Sequence, residues 1–105
     1  MFEILKKMFG NSPTDSLATK LTESPFLVDV RSRQEFNSGT CKGAVNIPVD
    51  QIQSQLSKFK DKNNIVVFCR SGMRSSQAKA ILERNGISNV TNGGTWEKVS
   101  RLLNQ

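Results

Sequence analysis

The chain has 105 residues, the length of one domain, and its apolar fraction of 36% and charged fraction of 23% are typical of a globular protein, which excludes a disordered tail. It has two cysteines and no histidine, so the composition excludes a zinc site, a disulfide framework and every mechanism that needs an imidazole base. The net charge of +6 is spread along the chain, and one tryptophan with no tyrosine argues against a nucleic-acid-binding surface.

The first twelve residues are predicted to be a short amphipathic segment that precedes the main domain at residues 13–105. Apolar residues recur in this segment at helical spacing: Phe2, Leu5, Met8 and Phe9. Lys6 and Lys7 interrupt the apolar run, so it predicts neither a signal peptide nor stable insertion into a membrane. We favour a short helix that packs on the domain or frays, and the alternative is a weak contact with a membrane surface or a partner. The expected location is the cytoplasm, where both thiols stay reduced.

Predicted strands and helices alternate along the rest of the chain. The predicted strands are residues 25–30, 43–48, 63–69 and 89–92. The predicted helices are a short one capped by Thr14 or Asp15, then residues 50–59, 75–86 and 95–103. This alternation indicates a parallel sheet that is covered by helices on both faces. Sites in such sheets form at the carboxyl ends of the strands, and Cys69 ends the most apolar predicted strand.

The loop after Cys69 reads "RSGMRS" and is rich in groups that would stabilise a thiolate. It leads into a predicted helix, whose first N–H groups and dipole attract negative charge. Arg70 and Arg74 add full positive charges, and Gly72 allows successive amides to face one centre. Each of these features lowers the pKa of a thiol and would also bind an anion beside it. The alternative is a buried cysteine followed by a solvated basic turn. However, the helix dipole disfavours positive charge at a helix start, so two arginines there need another explanation.

Two anion chemistries fit such a loop: phosphate-ester or arsenate chemistry, and sulfur transfer. Cysteine phosphatases carry five residues between cysteine and arginine, whereas Arg74 here comes one position earlier. Phe68 stands where tyrosine-type phosphatases have a histidine. The shorter loop suits a single sulfur atom better than a tetrahedral phosphate, and it would stabilise an anionic persulfide.

Three stretches of the chain resemble the single-domain rhodaneses, a family of thiosulfate-type sulfurtransferases. They are "LVDVRSRQEFNSGTCKGAVNIP" at 27–48, "VVFCRSGMRS" at 66–75 and "VTNGGTW" at 90–96. They occur in the order typical of the family and span nearly the whole chain from about residue 15.

The resemblance implies a rhodanese-like α/β fold with a five-stranded parallel sheet, flanked by helices on both faces. It implies that Cys69 is the catalytic nucleophile and forms a persulfide. The implied substrate-binding cradle is Arg70, Ser71, Gly72, Met73, Arg74 and Ser75. Within this cradle Ser75 would begin the helix, and Met73 would form an apolar lip at the outside of the loop.

The implied reaction moves sulfane sulfur from thiosulfate or a polysulfide to cyanide or a thiol, without a cofactor or a metal. The expected partner is a small anionic sulfur donor, with a protein as an alternative donor or acceptor. Three other functions remain open at this point. They are a persulfide carrier in a protein sulfur relay, a small cysteine phosphatase or arsenate reductase, and a regulatory module without catalysis.

The sequence departs from the family pattern at residues 39–41, where Gly-Thr-Cys replaces the usual Gly-His-Ile. We favour Cys41 as a buried replacement for the apolar residue, and the alternative is a disulfide partner that resolves the persulfide. Asp29, Arg31 and Glu35 also have two interpretations. We favour a polar network that fixes the turn after the first strand over a place for Arg31 in an electropositive site.

Overall fold

Four parallel strands form the centre of the fold in the computed structural model, which describes residues 13–104. The strands are β1 (Phe26–Asp29), β2 (Val45–Asn46), β3 (Ile65–Cys69) and β4 (Val90–Thr95), and their order in the sheet is β2-β1-β3-β4. The helices are α1 (Pro13–Leu21), α2 (Arg33–Ser38), α3 (Met73–Arg84) and α4 (Trp96–Leu103). Two 3₁₀ segments, Val49–Gln51 and Gln53–Lys58, lie between β2 and β3.

The predicted α/β class and the parallel sheet are confirmed, but the predicted strand count is wrong for the described part of the chain, where the sheet has four strands and not five. The count of five is what the family resemblance implies, whereas the sequence after residue 13 contains only four apolar runs of strand type. The predicted amphipathic segment at residues 1–12 lies outside the described residues. Within those residues, no helix combines the length and the apolar character needed to cross a membrane.

Strand β3 is the most buried element, because it lies between β1 and β4 and is covered on both faces. All five of its residues are buried, and its side chains alternate between two apolar clusters. The α3 face contains Val28, Val30, Ile47, Ile52, Phe59, Ile65, Val67, Cys69, Ala78, Leu82, Ile87 and Val90. The face of α1 and α4 contains Leu17, Leu21, Leu27, Cys41, Val66, Phe68 and Val99. The continuous apolar run in the sequence follows from this burial on both faces.

The helix predicted over residues 50–59 is instead the pair of 3₁₀ segments. Gln55 has non-helical dihedral angles (φ −124°, ψ 30°), so an α-helix does not continue through it. Backbone amides there bond to the carbonyl three residues back, as from Phe59 to Leu56 at 3.0 Å. Ile52 and Phe59 are still fully buried, because a short apolar pattern fits either kind of helix.

Several predicted bounds also change. The strand predicted at residues 43–48 is only the two residues of β2, and the last strand continues to Thr95. Helix α3 begins at Met73, two residues before Ser75, where the sequence placed its start. Element ends are set by tertiary contacts as well as by local pattern, so differences of this size are expected.

Helix α2 is not among the predicted helices, and its start carries a capping box. The Ser32 hydroxyl accepts a hydrogen bond from the Glu35 amide at 3.2 Å, and the Ser32 amide donates to the Glu35 carboxylate at 3.1 Å. The signature Ser-x-x-Glu at residues 32–35 predicts this helix start. The capping box fixes the position of Glu35 directly after β1.

Strand β4 contains a β-bulge at Gly93. Val67 of β3 pairs with Asn92, but the next residue, Phe68, pairs with Gly94, so Gly93 is the extra residue. A Cβ atom on Gly93 would lie 2.7 Å from Val99 Cγ2 and 3.2 Å from a methyl of Val66. Only glycine therefore allows α4 to pack on the sheet at this distance.

We expect Gly93→Ala to lower the free energy of unfolding by about 2–3 kcal/mol, because the new methyl group overlaps the Val99 side chain. Urea unfolding of the wild type and the variant measures the loss. Adding Val99→Ala removes the overlapping methyl, so the double variant should be more stable than the sum of the single losses predicts. Strictly additive losses would contradict this explanation.

Candidate active site

The loop between β3 and α3 wraps around the Cys69 sulfur. Gly72 caps α3 in a left-handed conformation (φ 97°, ψ −10°), which glycine adopts without strain. This turn directs the Gly72 amide at Cys69 Sγ, with N···S at 3.0 Å, and the Ser75 amide lies 3.4 Å from the same atom. The start of α3 thus provides two N–H donors to one sulfur.

The Ser75 side chain completes the surroundings of the sulfur. Its hydroxyl oxygen lies 3.4 Å from Cys69 Sγ, 3.1 Å from the Gly72 carbonyl and 2.7 Å from the Asn92 side-chain oxygen. Cys69 and Ser75 are both fully buried. Asn92 is not among the predicted site residues, although its place directly before Gly-Gly in the stretch at 90–96 is a signal that could identify it.

The surroundings of Cys69 favour its thiolate. Burial opposes the charge, but hydrogen bonds from the Ser75 hydroxyl and from the amides of Ser75, Gly72 and Ser71 outweigh it, so the pKa of Cys69 lies below its ordinary value. The groups that lower the pKa are therefore the fixed donors of the loop and the helix start. The sulfur is therefore a candidate nucleophile.

The two loop arginines have different environments. Arg74 makes a two-pronged ion pair with Glu35 of α2, at 2.7 and 3.0 Å, and this pair lowers the pKa of Glu35 to about 2. Arg70 is exposed and has no acidic partner within residues 13–104. The structure thus places Arg70 in the loop and Arg74 in the first turn of α3. The charge of Arg74 is balanced by Glu35, for which the sequence predicts only a place in the network after β1.

The remaining residues of the predicted cradle lie at its outside. Ser71 is exposed at the loop tip, and Met73 at the first position of α3 is 73% exposed. An exposed methionine beside the loop is the arrangement that an apolar lip requires. The amides of Ser71, Gly72 and Ser75 therefore face the Cys69 sulfur, whereas the side chains of Arg70, Ser71 and Met73 are exposed.

Asp29 and Arg31 form a buried ion pair at the end of β1, with N···O at 2.7 Å. Arg31 also donates to the Gly39 carbonyl at 2.6 Å, and its guanidinium lies 5.1 Å from the centre of the Trp96 ring. Thr40 donates to the Asp29 carboxylate at 2.7 Å. These contacts match the favoured interpretation, in which Asp29 and Arg31 fix the chain that follows β1.

The two cysteines lie on opposite faces of the sheet. Cys41 packs in the cluster of α1 and α4, and its thiol donates to the Trp96 carbonyl at 3.2 Å, whereas Cys69 belongs to the α3 cluster. Burial raises the pKa of Cys41 to about 12. Both thiols are free. This placement agrees with Cys41 as a buried replacement for an apolar residue, because the sheet separates it from Cys69.

In residues 13–104, no three acidic, cysteine or histidine side chains cluster where a metal ion could bind.

The comparison with known families adds a finding independent of this geometry. The family model of the rhodanese-like domain matches residues 5–98 of the chain. The chain belongs to the rhodanese-like domain family. The predicted resemblance is therefore confirmed over most of the sequence.

The most similar relatives of this rhodanese-like chain include sulfurtransferases. It is 34% identical over 87 residues to a sulfurtransferase of Allochromatium vinosum, with 81% of each protein covered. It is 36% identical to the thiosulfate sulfurtransferase PspE of Escherichia coli, with 70% of this chain and 72% of PspE covered. A solved rhodanese-like domain protein of Staphylococcus aureus has a TM-score of 0.69 at 35% identity, with 82% and 86% covered. The two relatives named as sulfurtransferases support a sulfurtransferase activity.

We expect the ion pair between Glu35 and Arg74 to make stability depend on pH in the acidic range. Because the pKa of Glu35 is about 2 in the folded chain against an ordinary 4.5, its contribution is fully present above pH 4.5 and is lost as pH falls through 2. The partly exposed pair should contribute about 1 kcal/mol. Urea midpoints measured between pH 5 and pH 2 should fall more steeply for the wild type than for Glu35→Gln. Parallel curves would show that the pair contributes nothing.

Proposed function

We propose that this protein is a sulfurtransferase that moves sulfane sulfur from thiosulfate or a polysulfide to cyanide or a thiol, through a persulfide on Cys69. One observation carries the proposal. Cys69 Sγ accepts two amide hydrogen bonds, at 3.0 and 3.4 Å, inside a loop that lowers its pKa. The sulfurtransferase relatives support the same reaction class.

In the first half-reaction, the Cys69 thiolate attacks the outer sulfur of thiosulfate. A new S–S bond forms to Cys69 while the sulfur–sulfur bond of thiosulfate breaks, and its electron pair leaves with sulfite. The products are sulfite and an anionic Cys69 persulfide, so charge and atoms balance without a redox partner. The amides of Gly72 and Ser75 would stabilise the charge as it moves to the outer sulfur.

In the second half-reaction, a thiophilic acceptor attacks the outer sulfur of the persulfide. The bond to Cys69 breaks and its electron pair returns to Cys69 Sγ, which leaves as the thiolate. The same hydrogen bonds that lower the pKa of Cys69 make it a good leaving group. With cyanide as the acceptor, the product is thiocyanate.

The loop supports sulfur transfer over phosphate chemistry. Its inward donors converge on one sulfur atom, and Arg74 is engaged by Glu35 and not directed at a tetrahedral anion. Arg70 is the exposed charge that would attract a small anionic donor. We propose a reducing compartment, the cytoplasm, because the reaction needs a free Cys69 thiolate.

A persulfide carrier in a protein relay is the second candidate function. The observation that favours it is the 73% exposure of Met73, an apolar side chain beside the loop that a protein donor or acceptor could contact. A carrier would gain sulfur on Cys69 but turn over poorly with free thiosulfate and cyanide.

We expect the intact mass of the protein to increase by one sulfur atom after incubation with thiosulfate, and the increase to be removed by a reductant. Cys69→Ser should show no increase and no thiocyanate release, because the attacking thiolate is absent. Cys41→Ala is the matched control and should behave as the wild type, because the pKa of Cys41 is about 12 and its sulfur lies in the opposite cluster. A wild type that never gains sulfur would contradict the proposal, and loading without turnover would indicate the carrier.

We expect Arg70→Gln to raise KM for thiosulfate about tenfold and to leave kcat within about threefold, because the exposed guanidinium attracts the dianion but does not contact the sulfur of Cys69. The effect should shrink at high salt, since screening weakens long-range attraction. Arg101→Gln, an exposed arginine in α4, is the control for net charge. Equal KM values for both variants would contradict a specific role for Arg70.

A further inference from the structure

The side-chain amide of Asn92 links β4 to the loop around Cys69, and both of its polar atoms are hydrogen-bonded. Its oxygen accepts from the Gly94 amide at 2.9 Å and from the Ser75 hydroxyl at 2.7 Å. Its nitrogen donates to the Gly72 carbonyl at 3.3 Å. The Gly94 amide can only donate, so the Asn92 oxygen must face it, and the orientation of the side-chain amide is fixed.

The bulge in β4 is what makes these contacts available. Asn92 pairs with Val67 in the sheet, and the extra residue Gly93 follows it, so the chain bends immediately after Asn92. This bend allows the Gly94 amide to turn back to the Asn92 side chain. Bulges of this kind re-aim side chains near functional sites.

The Ser75 hydroxyl has one proton to donate. Besides the Gly72 carbonyl, two atoms compete for that proton: the Asn92 side-chain oxygen and the Cys69 sulfur. When Ser75 donates to Asn92, its oxygen can accept a hydrogen bond from a neutral Cys69 thiol. When Cys69 is a thiolate, the sulfur can only accept, so a hydrogen bond between the two side chains then uses the Ser75 proton and takes it from Asn92. The Gly94 amide still satisfies the Asn92 oxygen in that state.

We propose that Asn92 is a positioning residue that competes with Cys69 for the Ser75 proton and thereby sets how readily the thiolate forms. The inference deepens the proposed function, since it concerns the same sulfur. A thiolate that forms too easily is a weaker nucleophile, and one that forms too reluctantly is a poor leaving group. Asn92 would hold Cys69 between these limits without contacting it.

The charged groups near the loop stay unchanged in the test. Arg70 adjoins Cys69, Arg74 on α3 is paired with Glu35 on α2, and Asp29 at the end of β1 is paired with Arg31. Within residues 13–104, the Asn92 side chain forms its hydrogen bonds with Ser75, Gly72 and Gly94 and not with these charged groups. A shift in the titration of Cys69 on substitution of Asn92 therefore reports on the hydrogen bonds through Ser75 or on a charge introduced at position 92.

The test is the pH dependence of iodoacetamide alkylation at Cys69, followed by intact mass in the full chain. This readout does not require sulfur transfer, so it can succeed or fail independently of the proposed function. Asn92→Asp should raise the midpoint by about one unit, because a carboxylate holds the Ser75 proton more tightly and adds negative charge. Asn92→Ala should lower the midpoint by about half a unit, because the competing acceptor is gone.

In a Ser75→Ala background, the Asn92→Ala shift should disappear and the Asn92→Asp shift should shrink to the effect of its charge. Asn64 provides the matched control, because it donates to the Lys20 and Glu23 carbonyls at the opposite end of β3. Asn64→Ala and Asn64→Asp should leave the midpoint unchanged. Shifts of the same sign for both Asn92 variants, no shift at all, or an Asn92→Ala shift that persists without the Ser75 hydroxyl would overturn the proposal. If Asn92→Asp does not fold, Asn92→Ala with and without Ser75→Ala still decides it.

Discussion

The hydrogen bond from the Gly72 amide to the Cys69 sulfur is the contact on which the site depends. It requires β3 to end at Cys69, the chain to turn through a left-handed residue at Gly72, and α3 to begin at once. These three conditions also bring the Ser75 amide and hydroxyl to the sulfur. A side chain at position 72 would strain the turn. Gly72 therefore allows the backbone conformation that brings the amide donors to the sulfur and lowers the pKa of Cys69.

The two cysteines show that surroundings, and not residue type, decide whether the pKa of a thiol is raised or lowered. Both are buried, and burial alone raises the pKa of a thiol, as it does for Cys41. At Cys69 the same penalty is outweighed, because fixed donors surround the sulfur. Helix α2 and the bulge in β4 contribute from outside the loop: Glu35 balances Arg74, and Asn92 engages Ser75.

Much of the fold could be predicted because burial on both faces leaves a direct trace in the sequence. The run of β3 and the inward positions Ala78 and Leu82 of α3 are apolar for that reason, and the alternation of strands and helices indicates the parallel sheet. The 3₁₀ geometry before β3 could not be predicted, since Ile52 and Phe59 fit an α-helical pattern equally well. The fifth strand came from the family resemblance and has no counterpart among the apolar runs of residues 13–104.

The sequence by itself determined the place of Cys69 at a strand end, the glycine and helix start beside it, and the family to which the chain belongs. These features are local, so neighbouring residues encode them. Only the tertiary structure decided that Arg74 is balanced by Glu35, 39 positions away, and that Ser75 bonds to Asn92, 17 positions away. It also decided that the sheet separates Cys41 from Cys69. Contacts between distant residues leave no periodic pattern in a single sequence, because they exist only once the strands have paired and the helices have packed.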